Sequence, residues 1–293
     1  MASMDYWLFI PQMRFGIDDL VARARTAEAS GFSGVALMDH LAPPMAEHQP
    51  MYEAITTATW LAANTETLSI GHLVLCDAMR HPAVLAKQAV TLDHASGGRF
   101  ELGIGWGSVP AELDTFGIAD SAARERVGRL AESLEVMKAL WSGDVVSYEG
   151  EHLRLDGAQQ LPVPTRDIPV LIGGTGPRTM ALVSRHADWW NVPLSAIDRI
   201  PELRPSAGEA RASAQVMVAL VPDEASREEV TALATRRFGM YGAGLLIGTP
   251  PEIAQRCDEL GARGIERLYI WFADFAPPET LERFGTEIIA TAT

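Results

Sequence analysis

Short apolar segments recur along this chain at nearly constant intervals, and that recurrence restricts the possible folds more than any other feature. Strand-like runs begin at Tyr6, Val35, Leu68 and Phe100, so their starts lie 29, 33 and 32 residues apart. Each interval is one strand plus one helix with short connections. Helical spacing fills the gaps. Ile17, Leu20, Val21, Ala24 and Ala27 line one face before Gly31, and residues 51–64 are rich in Ala and Thr. Pro82 opens a helix through Leu85, Ala89 and Leu92 that stops at Gly97-Gly98. Val127, Leu130, Leu134, Met137 and Trp141 predict the longest helix, from Asp120 to Trp141. Further strands are expected at residues 168–172, 189–192, 215–221 and 267–271, with helices at 177–186, 226–237 and 251–260 and a last one from Pro278. The fifth strand arrives late, and residues 145–155 form two alternating runs about Glu149-Gly150, an expected inserted hairpin after the fourth strand. Eight short strands alternating with amphipathic helices predict an α/β fold, a closed (β/α)8 TIM barrel, as one domain over residues 1–293. The stretch from Ser195 to Ser213 comes nearest to a linker and fits a surface insertion equally well.

Composition excludes several function classes. Lys and Arg total 24 against 38 Asp and Glu, a formal net charge of −14. That balance repels nucleic-acid backbones and anionic lipid heads, so neither nucleic acid nor membrane is an expected partner. A phosphorylated small molecule stays open, because backbone N–H groups can hold an anion in an acidic protein. Two cysteines, Cys76 and Cys257, make no disulfide framework, and seven histidines show no zinc-type spacing with them. No metal is expected. The first residues lack a basic stretch followed by an apolar core, and no apolar run approaches a membrane span, so a cytoplasmic protein is the expectation.

In a barrel of this kind chemistry sits at the C-terminal ends of the strands. Asp39-His40 follows the second strand, Cys76 ends the third, Gly105-Trp106-Gly107 ends the fourth, and Gly173-Gly174-Thr175-Gly176-Pro177-Arg178 leaves the fifth. The last run enters a helix. Its bare N–H groups and the helix dipole suit a phosphate, with Arg178 adding a charged contact, although an ordinary tight turn reads the same way. His40 has the right residue type for a general base, while a helix-capping Asp39 beside a half-buried His40 is the plainer alternative. His72, His81 and His94 read as structural. Trp106, Trp189, Trp190 and Trp271 could wall a pocket or simply pack. No GxSxG, HExxH, P-loop, CxxC or GxGxxG pattern is present, so hydrolase, zinc-protease, nucleotide-hydrolysing and Rossmann readings have no support.

Longer runs are more specific. Residues 80–88, Leu92-Asp93, and the run from Ser96 through Gly107, SGGRFELGIGWG, resemble the central signature of the luciferase-like monooxygenase superfamily. The resemblance continues in order through Glu112, Phe116-Gly117, residues 139–143 and residues 168–174, covering nearly the whole chain and weakening between Leu194 and Gly239. It implies a (β/α)8 barrel that binds FMN or the deazaflavin coenzyme F420 at its C-terminal mouth. Asp39-His40, the form GGTGPRTMALVSRHADWWN and the ending WFADF look more like the coenzyme F420 branch. In that branch the Asp and His touch the deazaflavin ring and the His exchanges a proton, roles that carry to Asp39 and His40. The family also implies a non-proline cis peptide at Leu73-Val74 supporting the ring. Cys76 stands where a Ser or Thr often contacts the cofactor. Dehydrogenases of the branch can carry an acid directly after the glycine run, where this chain has Ser108, so Glu112 is the candidate replacement and sugar-phosphate oxidation lacks its usual support. The expected activity is hydride transfer between F420 and a small organic substrate by a homodimer, with an FMN-dependent monooxygenase or a catalytically silent flavin-binding relative as alternatives.

Overall fold

The computed structural model describes residues 4–44, 46, 48–107, 109–118 and 122–291. Ser108 and Asp120, the expected start of the longest helix, lie outside the described residues. In chain order the elements are β1 (Asp5–Phe9), α1 (Ile17–Ala29), β2 (Gly34–Leu37), α2 (Ala54–Ala63), β3 (Ser69–His72), β4 (Leu75–Cys76), α3 (Pro82–Ser96), β5 (Leu102–Gly105), α4 (Pro110–Thr115) and α5 (Ala123–Trp141). There follow β6 (Val146–Glu149), β7 (Arg154–Ala158), β8 (Val170–Gly173), α6 (Pro177–His186), β9 (Trp189–Val192), α7 (Ile200–Leu203), β10 (Arg211–Leu220), α8 (Arg227–Phe238), β11 (Leu245–Gly248), α9 (Pro250–Ala262), β12 (Arg267–Phe272) and α10 (Pro278–Glu287).

The main sheet is a ring of parallel staves in the order β1, β2, β3/β4, β5, β8, β9, β10, β12 and back to β1. The third stave is split. β3 and β4 flank the cis Leu73–Val74 peptide. β3 reaches the next stave through Ile70 N donating to Arg99 O and Glu101 N donating to Ile70 O, both at 2.9 Å. β4 pairs Leu75 with Ile104. Gly103 makes this join possible, because a Cβ there would lie 1.8 Å from the His72 carbonyl oxygen. β11, which the sequence did not suggest, adds a short strand beside the end of β10. β6 and β7 pair antiparallel as a separate two-stranded sheet.

Helix ends follow local chemistry. His81 caps α3 by accepting from Ala83 N at 3.2 Å, Pro82 takes the first helical position, and Gly97 ends the helix at φ +65°. His94 Nε2 donates to Val163 O at 2.8 Å, and His72 is buried against the Phe100 ring, which leaves all three of these histidines in the scaffold. Leu130, Leu134, Met137 and Leu140 turn the buried face of α5 toward the sheet.

Among the described residues a small apolar cluster of Met217, Ala219, Ala234, Phe238 and Ala273 lies where α8 meets β10, beside two larger layers. The larger lies between staves and helices. The smaller fills the barrel interior with Trp7, Phe9, Ala36, Met38, Leu171, Trp189 and Tyr269. Below it, at the strand N-termini, Arg267 lies between the Trp7 and Trp189 rings, 4.3 and 3.7 Å from their centroids. Its guanidinium donates to Asp5 at 2.7 Å and Glu101 at 2.6 Å. Burial opposes this charge, yet Tyr269, Glu101 and Asp5 hold its pKa above the usual value. The lower end of the barrel is thereby plugged, which leaves ligands the opposite mouth.

Candidate active site

The residues after β2 divide into a support and a side chain that faces the cavity. Asp39 is buried, and its Oδ2 accepts from Cys76 N at 2.7 Å and from an Arg80 Nη at 2.5 Å, while Oδ1 accepts from the other Arg80 Nη at 2.9 Å. Arg80 also donates to Glu53 at 2.7 Å. Burial would lower the Arg80 pKa, but hydrogen bonds and charge from Asp39 and Glu53 raise it instead. Asp39 therefore spends its charge fixing the end of β4, in the cavity wall.

His40 is free of that clamp. Its Nδ1 lies 2.7 Å from Glu112 Oε2, and Glu112 Oε1 accepts from Leu41 N at 2.6 Å and Ala42 N at 3.3 Å. A carboxylate accepts, so the proton of the neutral ring is assigned to Nδ1 and Nε2 is the lone-pair nitrogen. Glu112 sits in the first turn of α4, which Pro110 opens. The side chains are 21% and 9% exposed, enough for His40 to meet a ligand while Glu112 is shielded.

One cavity of 360 Å³ joins these residues. Asp39, His40, Leu73, Val74, Cys76, Gly105, Trp106, Gly107, Glu112, Gly173 and Gly174 all line it. The glycines are there for close approach: a Cβ on Gly107, at φ +85°, would lie 2.8 Å from the Cys76 sulfur, and one on Gly105 would lie 2.9 Å from Val74. Burial pushes the Cys76 thiol up to about 11, so it lines the wall as a neutral group. Trp190 Nε1 donates to Gly174 O at 2.8 Å and Gly174 N to Asn191 O at 3.2 Å, which pins the glycine-rich turn. That turn runs into α6 with Gly176 at its N-cap and Pro177 behind it.

Thr175, Gly176 and Arg178 do not line the cavity. Arg178 is exposed and borders a separate groove with Arg124 and His152, because the second position of α6 turns away from the barrel axis. Of the four tryptophans, only Trp106 lines the cavity. Successive strand residues face opposite ways, so Trp189 points to the lower plug and Trp190 outward under the turn, while Trp271 packs on Phe9 and Phe238. Asn191, Gln215, Met79, Val109 and Leu113 also line the cavity and were not anticipated. Gln215 carried a signal, since it interrupts an otherwise buried apolar strand.

A flat apolar wall at Leu73–Leu75, a glycine floor and a helix N-terminus across the same mouth fit a ring carrying a phosphorylated side chain. Gly176, exposed at the N-cap of α6 and outside the cavity lining, has no protein atom within 4 Å of where a Cβ would stand.

The F420-dependent glucose-6-phosphate dehydrogenase of Microbacterium testaceum is 34% identical over 191 residues, 65% of this chain and 56% of that one, so the chain spans little more than half of that relative's length. The F420-dependent glucose-6-phosphate dehydrogenase of Mycolicibacterium fortuitum is 30% identical over 289 residues, 93% of this chain and 85% of that one. Among solved structures, an F420-dependent secondary alcohol dehydrogenase in complex with an F420-acetone adduct superposes with a TM-score of 0.84 at 20% identity over 100% of both chains. The profile of the luciferase-like monooxygenase family matches residues 4–244, from the first stave through the glycine turn to the residue before β11, and with β12 closing the same barrel the chain belongs to that family.

Proposed function

We propose that this protein is an F420-dependent oxidoreductase in which the His40–Glu112 pair manages the proton that accompanies hydride transfer. The observation that carries this reading is the 2.7 Å contact between the two side chains inside the glycine-floored cavity. When bound, a deazaflavin supplies a two-electron hydride acceptor or donor, so oxidation of a small carbinol leaves one proton for the protein to take. His40 Nε2 accepts that proton in oxidation and returns it in reduction. Glu112 holds the ring in the Nδ1–H tautomer and stabilises the imidazolium as it forms. Leu73 to Leu75 would carry one face of the ring, and the turn from Gly173 to Gly176 would hold the phosphate. The relatives named for F420 support this cofactor over FMN.

Titration with F420 and FMN side by side tests the assignment. F420 is expected to bind at micromolar concentration or below and FMN at least about tenfold more weakly. Tighter binding of FMN, with oxygen uptake in the presence of reduced FMN, would establish the monooxygenase reading instead. The phosphate seat has its own test. Gly174 is a poor site for it, because its φ of +127° strains any side chain. Gly176 lies at φ −67° with open space, so Gly176→Leu keeps the fold and fills the seat. Its F420 affinity is expected to fall about a hundredfold with thermal stability within a degree or two; unchanged affinity would move the phosphate elsewhere.

A further inference from the structure

We infer that the substrate received beside His40 is an uncharged, largely apolar carbinol or carbonyl compound, and that Glu112 and the apolar edge at Val109 and Leu41 discriminate against anionic substrates such as sugar phosphates. The inference rests on the proposed F420-dependent reading of this cavity and adds the substrate class.

Charge comes first. Among the described residues that line the cavity none is Lys or Arg, and the charged or titratable side chains are Asp39, His40, Glu112 and the neutral thiol of Cys76. The residues outside the description, including Met45, Glu47, Ser108 and Asp120, contain no Lys or Arg either. Nearby cations are spent or turned away. Both Nη groups of Arg80 are engaged by Asp39 and Glu53, Arg126 lies over the Trp106 ring outside the lining, and Arg178 borders another groove. A second anion beside Glu112 would lose its hydration shell and gain no counter-charge. The relatives named for glucose 6-phosphate act on a substrate with such an anion, and the described lining here offers that anion no Lys or Arg.

Apolar surface supplies the other half. Val109 and Leu113 flank Glu112 on the segment that carries it, and Met79 and Leu73 face the same space. Leu41, whose N–H binds Glu112, is 46% exposed, and Val109 is 37% exposed. Hydrocarbon surface left open beside a catalytic group gains by covering a ligand's carbon skeleton. A neutral oxygen function satisfies His40, and the remaining skeleton needs no polar partner. In oxidation such a carbinol gives up one hydride to the deazaflavin and one proton to His40, leaving the C=O product.

A charge-matched pair of ligands tests this on the F420-loaded protein by calorimetry at neutral pH: cyclohexanone and 4-oxocyclohexanecarboxylate, with glucose 6-phosphate as a third probe. Cyclohexanone is expected to bind at least about tenfold more tightly than the carboxylate. Val109→Lys, which places a cation beside Glu112, is expected to narrow or invert that ratio. Failure to bind F420 would remove the reading of the site and this inference with it. With F420 bound, equal or tighter binding of the carboxylate or of glucose 6-phosphate, or no binding of cyclohexanone, would overturn the inference alone.

Discussion

Replacing His40 by alanine is expected to slow hydride transfer by about 10²- to 10⁴-fold, the usual contribution of a positioned acid or base. Affinity for F420 should change by less than about threefold, because the apolar wall and the glycine turn do not depend on the imidazole. Glu112→Gln should cost less, about ten- to a hundredfold. The single amide oxygen can accept either from Nδ1–H or from the Leu41 and Ala42 N–H groups, not from both, and the neutral amide no longer stabilises the imidazolium. Glu112→Ala also frees the N–H groups of Leu41 and Ala42, so the loop that carries His40 loses its anchor. Groups that act as a unit are not additive. The double variant His40→Ala/Glu112→Gln is therefore expected to be about as slow as His40→Ala. Single-turnover rates with saturating substrate, read beside F420 dissociation constants, separate these outcomes. Parent-like transfer in His40→Ala would remove the residue from the reaction, and a double variant slow by the product of the two single effects would show that Glu112 acts independently.

The scaffold of this site was legible because buried parallel staves are near-continuous apolar runs. All eight stave positions stand out that way, from Tyr6 to Arg267. What failed to show is short or tertiary. β11 spans four residues between glycines and has no period to detect. α4 has six residues and no apolar stripe, yet it carries Glu112 to a ring 72 positions earlier in the chain. Position in sequence named Glu112 as a candidate; only the packing of α4 against the loop after β2 joins it to His40. Arg178 shows the converse. Its place after the glycine run suggested a phosphate contact, but the turn of α6 directs it to the outer groove. Trp189 and Trp190 were readable in principle, since neighbours on a strand must face opposite ways, and the pair cannot both wall one cavity.

Arg267 carried a weaker signal that gains meaning from the ring. A basic residue starts the eighth stave, while Asp5 starts the first and Glu101 immediately precedes the fourth. Parallel register brings Arg267 level with Asp5, and the closed barrel places Glu101 within 2.6 Å across the lower end. Arg267→Ala leaves two carboxylates with no counter-charge beneath the Trp7 and Trp189 rings, and empties the space between those rings. Breaking a buried pair from one side costs about 3–5 kcal/mol, so the urea midpoint should fall clearly and the thermal midpoint by about 10 °C. The reverse experiment isolates the electrostatic part. Arg267→Met with Glu101→Leu restores volume and removes the strongest orphaned charge, and it should recover more than half of the loss. F420 affinity in that double variant should match the parent, because the plug lies at the strand N-termini and the glycine turn at the opposite mouth. A loss under about 1 kcal/mol for Arg267→Ala would mean that water or the surrounding carboxylates relax into the plug, and would shift the main support of the barrel to the apolar layer above it.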